Sequence, residues 1–355
     1  MRTAHRVVVG DARRLDPADV PDGSVALVVT SPPYPMIAMW DELFAALDPA
    51  VPALLATDPA AAFQAQHAVL DAVWAQCFRA LMPGGLLCVN VGDATRTIDA
   101  RFRLWPNHAR VLAACEALGF APLPDILWRK PTNAPNKFMG SGMLPGGAYV
   151  TYEHEYILVL RKGGGRAFAA GEPRAARRRS AYFWEERNTW FSDLWSGLSG
   201  ADQGSGRRGR AAAAVAHGPL RDRTAAYPLD VPWRLVHMYS AYGDTVLDPF
   251  AGTGTTALAA ACAGRASVSV EREPAFADAI AARVCTAPAL GRAAGRLAAH
   301  RRFVAEREAA GKPPKHHNTP HDVPVVTGQE TDLLLYEAVA ARLVEGGVEV
   351  DHARV

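Results

Sequence analysis

Thr245-Val246-Leu247-Asp248-Pro249-Phe250-Ala251-Gly252-Thr253-Gly254-Thr255-Thr256 is a short apolar strand running into a glycine-containing turn. A helix is predicted from there through Ala263. A second strand, Ser267 to Val270, ends at Glu271, 19 residues beyond Gly252. Glycines in such a turn let the backbone approach a ligand closely. An acid at that spacing reaches a ribose diol. Strand, glycine turn, helix, strand and acid together describe an adenosine site. Nicotinamide and flavin dinucleotides remain open on spacing alone. The turn is not a P-loop, because the lysine of G-x-x-x-x-G-K-[ST] is absent.

The same alternation continues outward. Strands are predicted at Arg6–Val9, Val25–Val29, Leu86–Val91, Asp125–Trp128 and Tyr152–Leu160, with helices at Gln66–Leu81, His108–Leu118, Val231–Tyr242 and Pro274–Val284. This pattern predicts an α/β fold: a mostly parallel twisted sheet with helices on both faces, plus a smaller region. The strand Val25–Val29 runs into Thr30-Ser31-Pro32-Pro33-Tyr34. Two prolines cannot continue a ladder and they stiffen the chain, so Ser31 and Tyr34 are presented on a rigid elbow at a strand's carboxyl end. Ligands bind outside such ends in open α/β sheets.

The 355 residues are 49% hydrophobic, enough for a substantial core, and the net charge is only +2. Charge is nonetheless uneven. Residues 161–225 hold 13 Lys and Arg against 6 Asp and Glu. Arg177, Arg178, Arg179, Arg207, Arg208 and Arg210 stand there beside Tyr182, Phe183, Trp184, Trp190, Phe191 and Trp195. Basic clusters interleaved with aromatics predict a nucleic-acid surface. Cys77, Cys88, Cys115, Cys262 and Cys285 form no CxxC pair, which suits buried thiols in a reducing compartment. With no signal peptide and no membrane-spanning run, a cytoplasmic protein without membrane contact is expected. His316, His317 and His321 lie in a Pro/Asn stretch without acidic or cysteine partners at ligand spacing, and read as a solvated loop; no metal is expected. A terminal helix is predicted over Glu330–Val344.

Two stretches carry a family resemblance. Asp248 to Thr256 resembles the S-adenosyl-L-methionine loop of the DNA amino-methyltransferases, and Thr30 to Tyr34 resembles their catalytic loop. The catalytic loop comes first, as in the β-ordered group. Gly10-Asp11, Pro83-Gly84-Gly85, Gly119-Phe120, Ile126 to Lys130, Glu153 to Leu158 and Ala225 to Pro228 also match that group. The resemblance implies a permuted Rossmann-like methyltransferase fold: a catalytic part over 1–162, a target-recognition insert over 163–222 and a cofactor part over 223–286; it does not extend to residues 287–355, which are expected to form a carboxyl-terminal extension. It implies S-adenosyl-L-methionine held by Asp11, Tyr227, Pro228, Asp248, Phe250, Gly252, Thr253, Gly254, Thr255 and Glu271. Ser31, Pro32, Pro33 and Tyr34 are implied to be catalytic. The amine would hydrogen-bond to Ser31 Oγ and the Pro32 carbonyl, and Tyr34 would stack on a base flipped from duplex DNA. Glu153 and His154 fall on the family's base-pocket strand. Serine before Pro-Pro-Tyr usually accompanies methylation of cytosine N4, whereas Asp or Asn accompanies adenine N6, which is the alternative. A carbon-5 cytosine enzyme needs Pro-Cys, and no cysteine here follows proline. A non-catalytic nucleic-acid binder retaining the cofactor fold would not need the elbow intact. Duplex DNA is the implied partner. A cognate restriction endonuclease and a homodimer are further partners the resemblance admits.

Overall fold

The computed structural model describes residues 1–130, 139–198 and 226–355. Ten strands form its main sheet. They are β1 (Arg2–Val9), β2 (Val25–Thr30), β3 (Leu81–Val91), β4 (Phe120–Arg129), β5 (His154–Lys162), β6 (Leu194–Trp195), β7 (Thr245–Asp248), β8 (Ala266–Glu271), β9 (Tyr336–Val344) and β10 (Gly347–Arg354). Their spatial order is β6-β4-β5-β3-β2-β7-β8-β1-β10-β9. The central run β3-β2-β7-β8-β1 is parallel. Antiparallel pairings attach β5 to β3 and β4 to β5 on one side, and β10 to β1 on the other.

Both faces of the parallel centre are buried, which is why β2 is an unbroken apolar run rather than an alternating one. On one face Leu27 and Val29 pack with the helices Asp230–Tyr239 and Thr255–Ala263. On the other, Val28, Leu87 and Val89 meet Leu70, Val73 and Trp74 of the long helix Pro59–Ala80. Asp58 starts that long helix by accepting the Ala60 and Ala61 amides, with Pro59 in its first turn. Every residue of Thr255–Ala263 is buried, and its alanines bring it close to the sheet. Asp41–Leu47 and Ala275–Val284 border the site, whereas Glu172–Arg179 and Trp184–Trp190 lie away from it. None of the described helices is long and apolar enough to cross a membrane.

The carboxyl-terminal region departs from expectation. Glu330–Val344 is not a helix: Tyr336–Val344 is the edge strand β9, which turns at Gly346 and returns as β10. The helix of this region, Arg292–Ala309, lies earlier. Residues 287–355 are therefore not a separate extension. Their hairpin completes the main sheet, and Ala293, Leu297, Val323, Val325, Leu333 and Leu335 share a small core with Phe183 from the predicted insert. Bidentate ion pairing of Arg296 with Glu186 (2.6 and 2.7 Å) and stacking of Phe183 on His300 (3.8 Å) tie the two together. His321 is buried rather than solvated: it accepts the Leu335 amide at 2.8 Å, and its own amide donates to Asn318. His316 and His317 lie on a short strand with exposed side chains.

Candidate active site

The carboxyl ends of β1, β2, β7 and β8 open into one cleft of about 700 Å³. It brings together Asp11, Ser31, Pro32, Pro33, Tyr34, Tyr227, Asp248, Phe250, Gly252, Thr253, Thr255 and Glu271, although these residues span most of the chain. Of the predicted catalytic and cofactor residues, two are not on it. Pro228 is buried beside the cleft. Gly254 faces helix Ala275–Val284: a Cβ there would lie 2.9 Å from Ile280 Cγ2, and its φ is +77°. This glycine serves the turn and helix packing. Gly252, at φ +50°, has open space where a Cβ would be, so its backbone is the one a ligand can approach.

The acids of the cleft are fixed in different ways. Glu271 accepts the Gly252 amide at 2.8 Å and the Glu273 amide at 3.0 Å, so its carboxylate closes the glycine turn. Burial pushes its carboxyl above the ordinary range despite those donors. Asp248 is deeper. It accepts from Thr30 Oγ1 at 2.7 Å and from the Phe250 amide at 3.1 Å, and desolvation pushes it up to about 6. Asp11 is on the rim, bonded to Arg13 Nη2 at 2.6 Å, which holds its carboxyl below the usual range. Tyr227 hydrogen-bonds Thr256 Oγ1. The cofactor fits this donor set: a carboxylate anchored beside an approachable glycine backbone, with Phe250 as an apolar wall.

The elbow is held from several sides. Asn107 Nδ2 donates to the Pro35 carbonyl at 3.1 Å and to that of Gly92 at 3.0 Å. Met36 has the left-handed φ of +66° and is buried, its amide donating to Gln66 Oε1 at 2.8 Å. Such backbone persists only where surroundings impose it. Helix Asp41–Leu47 covers the cleft with Leu43 and Leu47, and Asp41 is clamped by Arg96 at 2.7 and 2.8 Å.

Behind the elbow is a polar cluster absent from the sequence-based expectation. Tyr34 is buried, and its hydroxyl lies 3.0 Å from Ser31 Oγ and 3.0 Å from Glu155 Oε2. Asn90 Nδ2 donates to Tyr34 at 2.9 Å and to Glu155 at 2.6 Å, while Lys130 holds the other Glu155 oxygen at 2.8 Å. Glu155, and not its neighbours Glu153 and His154, reaches the elbow. Glu153 instead pairs with Arg129, and His154 packs on Tyr152 and Tyr156. Strand alternation separates His154 from Glu155, and Glu153 lies just before the strand begins; the phase of the strand is not apparent from sequence.

The predicted nucleic-acid surface is divided. Arg207, Arg208 and Arg210 lie outside the described residues. Arg177, Arg178 and Arg179 end a helix beside the amino ends of the parallel strands, next to Thr3, Tyr242 and Gly264. The cleft is a strand's length away, on the order of 15 Å. There Arg178 pairs with Asp332, Arg179 with Glu172, and Arg177 sits over Phe168. The triplet is a structural cluster that the fold does not bring to the cleft. Exposed cations on the cleft side include Arg272, which lines the cleft itself, Arg101 and Arg103, on a hairpin following β3, and Arg129 and Lys130 at the end of β4.

Residues 25–282 match the N6/N4 methyltransferase family model described as DNA methylase, a span that holds both the elbow and the glycine turn. The chain is 44% identical over 340 residues to the type II methyltransferase M.MthZI of Methanothermobacter thermautotrophicus, covering 95% of this chain and 91% of that one. It is 45% identical over 284 residues to M.MjaI of Methanocaldococcus jannaschii, covering 76% and 87%. Among solved structures, the putative DNA modification methylase TTHA0409 of Thermus thermophilus, in complex with S-adenosyl-L-methionine, superposes with a TM-score of 0.59 at 35% identity, over 79% of this chain and 95% of that one. The cytosine-N4-specific PvuII DNA methyltransferase shares the fold (TM-score 0.54, 19% identity, 79% and 87% covered). With its paired elbow and glycine turn on one cleft, the chain belongs to the N6/N4 DNA methylase family and is an S-adenosyl-L-methionine-dependent DNA methyltransferase.

Proposed function

We propose that the protein methylates the exocyclic N4 of cytosine at a specific site in duplex DNA. The observation carrying this reading is Ser31, a neutral hydroxyl where the adenine-directed pattern has a carboxylate or an amide. When bound, the cofactor supplies an electrophilic methyl group on a sulfonium. The chain then has little covalent chemistry to do. An exocyclic amine is a weak nucleophile because its lone pair is delocalised into the ring. Acceptors at Ser31 Oγ and the Pro32 carbonyl would draw both N–H bonds out of the ring plane and localise that pair. In-line attack then needs mainly positioning.

In this reading Glu271 holds the ribose hydroxyls and Asp11 the adenine edge. Phe250, Gly252, Thr253, Thr255 and Tyr227 surround the remainder, and Asp248 acts from behind by bonding Thr30 and the turn. Tyr34 walls the pocket for a flipped base. Duplex DNA approaches the cleft side through Arg101, Arg103, Arg129 and Lys130. The reading implies a cytoplasmic protein serving a restriction-modification pair. Long-read sequencing of DNA from an expressing host tests it: N4-methylcytosine at one recurrent motif is expected. N6-methyladenine, or no modification, would overturn it.

A further inference from the structure

We propose that Glu155 is a positioning residue for methyl transfer: it accepts the hydrogen bond of the Tyr34 phenol, so that Ser31 donates its own proton to Tyr34 and turns its lone pairs toward the target amine. This rests on the function proposed above and concerns one further residue of that site.

The polarity of the cluster follows from its donors. Glu155 Oε2 lies 2.6 Å from the Asn90 amide, and a carboxylate can only accept, so the nitrogen of that amide must face it. The same nitrogen lies 2.9 Å from the Tyr34 hydroxyl and donates to it. Tyr34 therefore has one proton left to give and two acceptors besides Ser31. Glu155 is at 3.0 Å and the Asn90 carbonyl at 3.4 Å. The carboxylate is nearer, and a hydrogen bond to a charged acceptor is roughly twice as strong as a neutral one. Burial and the adjacent carboxylate push the phenol up, so it keeps this proton.

With the Tyr34 proton committed to Glu155, the 3.0 Å contact between Ser31 Oγ and Tyr34 can only be donated by Ser31. Ser31 then has no proton to offer outward and two lone pairs free. That suits a substrate amine, which brings hydrogens and needs acceptors. Without Glu155 the phenol would donate to Ser31, and Ser31 would aim its proton at the amine. Lys130, bonded to the other carboxylate oxygen at 2.8 Å, holds Glu155 in place. The Glu155 side chain is only 12% exposed, so little water competes.

The test is single-turnover transfer of labelled methyl groups by the full-length protein to unmethylated plasmid DNA, with cofactor affinity measured by calorimetry. Glu155→Leu should slow transfer about tenfold or more, with cofactor affinity unchanged within about twofold. Glu155→Gln should be several-fold faster than Glu155→Leu, because its carboxamide oxygen still accepts from Tyr34 although its NH2 loses the Lys130 contact. In a Tyr34→Phe background, Glu155→Leu should add less than about threefold, since no phenol remains to orient. If Glu155→Gln is as slow as Glu155→Leu, or if the full Leu penalty persists beside Tyr34→Phe, this inference is wrong while the function stands. A wild-type protein that transfers nothing to DNA overturns the function and the inference together.

Discussion

Two residues divide the labour of the cleft. In the proposed reading Ser31 faces the reacting amine, whereas Asp248 is buried behind it, bonded to Thr30 and the Phe250 amide. Ser31→Ala should therefore abolish transfer while calorimetry finds cofactor affinity unchanged within about twofold. An equal loss of affinity would contradict the division. Asp248 carries a pH signature. Its folded carboxyl is pushed up to about 6 from an ordinary value of 3.8, so ionising it opposes folding. Its contribution to stability is fully present below the unfolded value and is lost as pH rises through about 6. Unfolding of the cofactor-free protein in urea should show wild type losing on the order of 2–3 kcal/mol relative to Asp248→Asn between pH 4 and pH 7. Parallel pH curves would contradict it. Asp248 and Ser31 were legible because their signals are local: each is the polar residue at the tip of an apolar run. Glu155 and Asn90 were not, because which face of a strand meets the elbow depends on register with segments up to 121 residues away; Asn107, at the start of a helix, reaches the elbow only through the tertiary fold.

At the level of elements, the glycine turn splits its two glycines between different tasks. Gly252 leaves room for a ligand, whereas Gly254 leaves room for helix Ala275–Val284. Gly254→Ala must place a side chain at φ +77° and against Ile280. The expected cost is about 1–3 kcal/mol of stability, seen as a lower Tm, with cofactor affinity affected secondarily. An unchanged Tm would contradict the packing role. The carboxyl-terminal hairpin shows where local signals mislead. Glu337 to Val344 holds three Ala with Glu337, Arg342 and Leu343, all good helix formers, against two Val. What decides its state is the open edge of β1, which pairs with β10 from Arg2 to Arg6, and the burial of Val348 and Val350 in the main core. Tertiary pairing overrides propensity there. The turn at Gly346-Gly347, flanked by strand-like residues, was the available cue.

Across the whole molecule, charge counted along the sequence does not give the end of the sheet that a basic segment reaches. Residues 161–225 are the most basic stretch, yet their described arginine triplet lies at the opposite end of the sheet from the cleft, beside acidic partners. Which end of a parallel sheet a segment reaches depends on connections that composition does not reveal. Replacing Arg101 and Arg103 together with Ala should weaken DNA binding and reduce the slope of log affinity on log salt by about 1–2. Replacing Arg177, Arg178 and Arg179 should leave that slope unchanged. A reversed pattern, read by fluorescence anisotropy over a salt series, would place the DNA elsewhere. The chemistry itself is tested most directly by the modified nucleoside. Duplex DNA methylated by the purified protein and S-adenosyl-L-methionine, digested and resolved by mass spectrometry, should yield N4-methylcytosine as its only new nucleoside. N6-methyladenine in its place would contradict the role assigned to Ser31.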